Sequence, residues 1–126
     1  MEMKKIKITS GSTELVASLL DTPTAAAIYA KLPIESRAQT WGEEVYFEVP
    51  VQAARETNAK DVVDPGEIAF WVEGNCVAIG FGRTPISQGD EIRLAAKTNI
   101  WATTEEDVKK LAAVRPGQKI RIEKLD

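Results

Sequence analysis

Between Trp41 and Pro50 the chain spells out a half-buried β-strand: Val45, Phe47 and Val49 alternate with Glu44, Tyr46 and Glu48, behind the bulky Trp41. Such alternation belongs to a sheet with one face in a core. A second stretch, Gly80-Phe81-Gly82-Arg83-Thr84-Pro85-Ile86-Ser87, reads as a strand that runs into a glycine-bracketed basic turn. Segments this short, bounded by turn residues, commit the chain to antiparallel pairing.

The rest of the chain follows the same grammar. Lys5-Ile6-Lys7-Ile8-Thr9 alternates, Ser10-Gly11-Ser12 turns, and Glu14 to Leu20 returns as the second arm of a hairpin. Over residues 22–32 the period changes. Thr22 is a cap, Pro23 suits the first helical position, and Ala25, Ala26, Ala27, Ile28 and Ala30 favour helix. Pro33 ends it, because the residue before proline avoids the α region. Ser36 to Thr40 reads as extended, and Ala53 to Ala59 as one short helical turn. Asp64-Pro65-Gly66 turns into a strand over Glu67 to Val72; Glu73-Gly74-Asn75 turns into another over Cys76 to Phe81.

After the irregular Gly82 to Gly89, a strand over Glu91 to Leu94 and an extended piece over Lys97 to Trp101 are expected. Thr103 or Thr104, with Glu106 or Asp107 three residues on, writes a capping box for a second short helix ending near Ala113. Lys119 to Lys124 closes the pattern as a strand with Ile120 and Ile122 buried. About seven or eight short strands with two short helices predict a mainly β fold, a closed or nearly closed antiparallel barrel whose helices cap its ends.

Composition removes whole classes of chemistry. The 126 residues read as one domain, 1–126, able to bury a core without staples. The formal net charge is −3 and the basic residues are scattered among carboxylates, so no stripe suits a phosphate backbone and nucleic acid is not expected as a partner. No apolar run approaches the roughly 20 residues that span a bilayer, so no membrane association is expected. The charged N-terminus has no signal-peptide pattern, which makes the cytoplasm the expected location.

There is no histidine, which excludes Ser-His-Asp and Cys-His catalysis. The single cysteine, Cys76, allows no intrachain disulfide and reads as a buried strand residue. Zinc lacks its ligands, and Asp61 to Asp64 is too short a cluster for a calcium loop, so neither metal nor cofactor is expected.

The order of these elements carries a resemblance. Thr22-Pro23-Thr24, Leu32-Pro33-Ile34-Glu35, Trp41 to Phe47 and Gly80 to Ile86 together resemble the cyclophilin-like domains of bacteria and archaea, over roughly Lys4 to Glu123. The resemblance implies the cyclophilin-type eight-stranded antiparallel barrel in a reduced form. It does not carry over the prolyl-isomerase site, because the Phe-His-Arg signature is absent and no histidine exists to complete the groove.

Six residues are candidates for ligand binding: Arg37, Tyr46, Glu48, Trp71, Phe81 and Arg83. Arg37 falls by chain order near the position of the cyclophilin arginine, and a guanidinium there suits a carbonyl or carboxylate; its plain alternative is a solvated arginine. Tyr46 and Glu48 share a strand face with Glu44, with Glu48 a partner for Arg37 or Arg93 and Tyr46 an apolar floor; the alternative is a solvent face. Glu44 and Glu48 lie about 13 Å apart along a strand. That is too wide for a glycosidase pair. Trp41, Phe47, Trp71, Phe81 and Trp101 are expected in the core, with Trp71 the one suited to a pocket wall. The glycines around Phe81 admit a ligand or a neighbouring backbone, with Arg83 beyond them for an anion; otherwise they only turn the chain.

The expected function is a binding module that presents a groove near Arg37, Tyr46, Glu48, Phe81 and Arg83 to a peptide segment or small molecule. A divergent peptidyl-prolyl isomerase and a homo-oligomeric interaction module stand as alternatives.

Overall fold

The computed structural model describes residues 4–125. Ten strands and two short helices follow the chain: β1 (Lys5–Ser10), β2 (Thr13–Leu19), α1 (Pro23–Lys31), β3 (Ile34–Arg37), β4 (Gln39–Thr40), β5 (Glu44–Glu48), β6 (Lys60–Val63), β7 (Glu67–Trp71), β8 (Cys76–Gly80), β9 (Ile92–Thr103), a 3₁₀ helix (Val108–Ala113) and β10 (Lys119–Leu125). Nine strands form the wall in the order β3-β10-β1-β2-β9-β7-β8-β5-β4. The two ends of that ladder, β3 and β4, are consecutive in sequence and separated by Ala38 alone. Ala38 is fully buried; its N–H donates to the Gln118 carbonyl at 2.8 Å and its carbonyl accepts from Gly117 at 2.7 Å. The backbone itself thus joins the two ends of the ladder, and the barrel is nearly closed.

α1 forms as its residues dictate. The Thr22 side chain accepts from the Ala25 N–H at 3.0 Å, Pro23 opens the first turn, and extended Leu32 ends the helix before Pro33 across a cis peptide bond. Ile28 is its fully buried contact with the barrel. The interior is filled by alternate residues of the wall, among them Ile6, Ile8, Leu15, Val45, Phe47, Phe70, Ile79, Ile120 and Ile122.

Three local expectations change. Ala53 to Ala59 forms no helical turn, because the fully buried Asn99 holds it irregular: its Oδ1 accepts from the Glu56 N–H at 2.8 Å and its Nδ2 donates to the Ala54 carbonyl at 2.9 Å. The separate pieces Glu91–Leu94 and Lys97–Trp101 are one twelve-residue strand, β9. The capping box at Thr104 is not made: the Thr104 hydroxyl accepts from the Glu106 N–H at 3.1 Å and donates to the Val16 carbonyl at 2.6 Å, but the helix starts later, a 3₁₀ helix capped by Asp107.

β9 is the element that positions the site. Its first part pairs with β6 (Val62↔Arg93, Val63↔Ile92) and its last part with β7 and β2. Between Ile68↔Ala102 and Ala69↔Ile100 the register slips, leaving Trp101 as the extra residue of a bulge. The bulge lets consecutive residues, Trp101 and Ala102, both enter the barrel core. The first part of β9, with β6, lies over the outside of β7, β8 and β5 and builds a second small core from Val63, Ala69, Ala78, Ile92 and Leu94, with Tyr46 and Ile100 against it. That stretch of wall is covered on both faces, which is why all five residues of β8 are buried.

Candidate functional site

The covered outer face leaves a gap. A cavity of about 180 Å³ opens there, with Glu44 and Tyr46 from β5, Ala78 from β8 and Trp71 from β7 on the wall side. Trp41, from the turn before β5, and Leu94, Ala95, Ala96 and Thr98 from β9 complete it. Small residues on the wall let β9 come close: Ala78 lines the cavity between the larger groups, and Gly80 makes room for Ile92. Gly80 sits opposite Glu44, and a Cβ there would come within 2.3 Å of the Ile92 side chain.

Glu44 is the unusual group. It is only 6% exposed, and among the described residues its Oε1 is the one buried side-chain oxygen or nitrogen without a hydrogen-bond partner. No described lysine or arginine forms an ion pair with it. Burial without compensation disfavours the carboxylate and pushes its pKa up to about 7. An orphaned buried carboxyl is costly, and such groups concentrate where a protein binds or reacts.

Cys76 lies on the same face, paired across the ladder with Glu48 and Trp71. Burial, then the carboxylates of Glu48 and Glu44, push its thiol up. It is therefore a protonated strand residue at neutral pH rather than a nucleophile.

The six candidate residues do not share one groove. Tyr46 and Trp71 meet in the cavity. Phe81 is packed in the barrel core. Glu48 is exposed and lines a shallow groove with Lys31 and Gln52, and it reaches neither arginine proposed for it. Arg93 pairs with Glu91 and Asp61, and Arg37 donates to the Gly117 carbonyl at 3.1 Å. Arg83 is exposed, its guanidinium on the Ser87 carbonyl at 3.4 Å.

The glycines near Phe81 make room for neighbouring parts of the chain: Gly80 for Ile92, Gly82 for the Glu43 carboxylate. The two segments that dominate the sequence do touch, since Glu43 N–H donates to the Arg83 carbonyl and Phe81 N–H to the Glu43 carbonyl, both at 2.8 Å.

Sequence reasoning missed Trp41, expected in the core but half-buried at the cavity, and Glu44, which shares the face of Tyr46 and Glu48 but was not among the candidates. A signal for Glu44 was present. The run Cys76 to Gly80 has no polar alternate except Cys76 itself, and a strand buried on both faces buries its neighbour's outward residues as well.

Trp71 is held by close packing. A Cβ on Gly74 would lie 2.3 Å from ring carbons Cε3 and Cζ3 of Trp71. Gly74→Ala should therefore displace the indole and cost about 1–3 kcal/mol, the usual range for overpacking. Urea unfolding and the Trp71 indole N–H resonance would check this; an unmoved resonance with unchanged stability contradicts it.

Comparison with known proteins fixes the family. The model of the family described as cyclophilin-like matches residues 4–123. The chain belongs to the cyclophilin-like family. This cyclophilin-like chain is also similar to the hypothetical protein AF2241 from Archaeoglobus fulgidus, whose solution structure superposes with a TM-score of 0.84 at 34% identity, over 98% of this chain and 95% of that one. The structure of McbB in complex with tryptophan has a TM-score of 0.67 at 14% identity, covering 94% of this chain and 44% of McbB; that likeness is one of fold. A search of curated proteins finds no match. Among the described residues no helix is long and apolar enough to cross a membrane, and no group of three or more cysteine or acidic side chains is placed to hold a metal.

Proposed function

We propose that this cyclophilin-like chain is a binding domain for a small organic molecule, and that the cavity between β5, β7, β8 and β9 is its site. The observation that carries this reading is Glu44, a carboxyl 6% exposed with an unpartnered oxygen, lining a cavity walled by Trp41, Tyr46 and Trp71. A mostly apolar cavity with one or two well-placed polar groups is the usual form of a small-molecule site. McbB, whose structure is one in complex with tryptophan, lends the reading fold-level support only.

The three tryptophans supply a built-in assay. Trp41 and Trp71 line the cavity, whereas Trp101 is fully buried in the barrel. In a titration with a mixed set of small neutral, cationic and anionic compounds, a binder should shift the indole N–H resonances of Trp41 and Trp71 and spare that of Trp101. A set in which no compound moves Trp41 or Trp71 would count against the site.

The isomerase alternative finds no arginine among the residues of the cavity, and Arg37 is engaged with a backbone carbonyl. It is tested by X-Pro isomerisation with the Arg37→Ala variant beside wild type. Self-association has less support, since among the described residues Ile86 is the one exposed large apolar side chain.

A further inference from the structure

We infer that the ligand of this cavity is a primary or secondary organic ammonium, its N–H donated to the Glu44 carboxylate and its apolar body held between Trp41, Tyr46 and Trp71. The inference rests on the cavity being a binding site and names the chemistry it would take.

The argument begins with the orphaned oxygen. Oε1 of Glu44 is buried and has no donor from the described residues, and the Glu44 side chain that carries it lines the cavity. What such an oxygen lacks is a donor, and a charged donor makes the stronger bond to a carboxylate. No lysine or arginine is among the residues lining the cavity: Lys97, between the lining Ala96 and Thr98, is exposed, and Arg93, next to Leu94, is paired with Glu91 and Asp61. An anionic ligand would meet Glu44 with like charge, so the site selects against it.

The remaining wall agrees. Three of the residues around the cavity are aromatic, and aromatic faces attract ammonium groups as well as carbon. A quaternary ammonium has no N–H and leaves Oε1 unpaired, so primary and secondary amines are preferred. Size sets the last limit. A cavity of roughly 150 Å³ takes a molecule like benzene. The cavity here, about 180 Å³, therefore fits an amine on a body of about one ring.

The test compares benzylammonium, benzyl alcohol, benzoate and benzyltrimethylammonium on the full chain, by calorimetry and by the Trp41 and Trp71 indole resonances. At about pH 8 the alkylammonium is charged and the carboxyl is ionised. Benzylammonium is expected to bind at least about tenfold tighter than the other three, the worth of one hydrogen bond to a charged group. In Glu44→Gln that preference should vanish. Benzyl alcohol or benzoate binding as well as the amine would overturn the ammonium assignment and leave the cavity a binding site. No shift at Trp41 or Trp71 with any of the four would overturn both. If Glu44→Gln fails to fold, the ranking of the four compounds on wild type decides alone.

Discussion

Replacing Glu44 with Gln should change the stability of this protein by an amount that depends on pH, with about 3 kcal/mol separating its effect at about pH 8 from that at about pH 4.5. The magnitude follows from a folded pKa of about 7 against an ordinary 4.5, at about 1.4 kcal/mol per unit. The sign follows from proton counting. Between the two values the folded state holds more protons than the unfolded one, so stability falls as pH rises through that window. Below about 4.5 Glu44 is neutral in both states and contributes no penalty; above about 7 the penalty is complete.

Other carboxyls act in the opposite direction. Hydrogen bonds from Arg93, Lys110 and Arg121 hold Glu91, Glu106 and Glu123 below the usual range, so what they contribute is lost as acid protonates them. Those contributions are common to wild type and Glu44→Gln and cancel in the difference. Urea unfolding of both proteins at the two pH values measures it. Parallel stability profiles would mean that Glu44 is solvated or paired in solution.

Trp101→Ala should cost about 3–5 kcal/mol, the range for removing a fully buried large side chain. Typical domain stabilities are about 5–15 kcal/mol, so the variant is expected to sit close to unfolding. Trp101 is fully buried, it is the extra residue of the β9 bulge, and its indole N–H donates to the Ala69 carbonyl at 3.2 Å. Removing it empties the barrel core and strips a hydrogen bond from the wall behind the cavity. Equilibrium unfolding in urea checks this; a loss under about 1 kcal/mol would mean that the core collapses freely into the space.

Much of the fold is written in local signals. The β1–β2 hairpin, the Thr22 cap, the Pro23 start and the alternation of β10 depend on neighbours in sequence and were legible there. The errors lie where distant residues decide. Asn99 fixes the segment after Val51 from more than forty positions away, and the Thr104 hydroxyl, tied to the Val16 carbonyl, holds a turn ahead of the helix that Asp107 caps. Ala95-Ala96-Lys97 interrupts any β propensity, yet β9 runs through it because β6 and then β7 supply the pairing.

The candidate site was half legible for the same reason. Tyr46 and Trp71 were singled out, and both line the cavity. Glu44 was not singled out, its face being open to either a groove or solvent, because alternation tells which residues share a face but not what covers it. The cover comes from β9, some fifty positions later, once its bulge has turned Trp101 inward and left Leu94 outside. Arg37 and Arg83 drew attention for their charge, and both bond to backbone carbonyls at the surface.

The chemistry of this site turns on Glu44 being a buried, unpaired carboxyl that lines an aromatic cavity. Its most direct test is to follow the Glu44 side-chain carboxyl resonance by NMR as a function of pH, with and without benzylammonium. The expected result is a midpoint near 7 in the free protein, moving down when the amine is present. A midpoint in the ordinary glutamate range in both samples would contradict the claim.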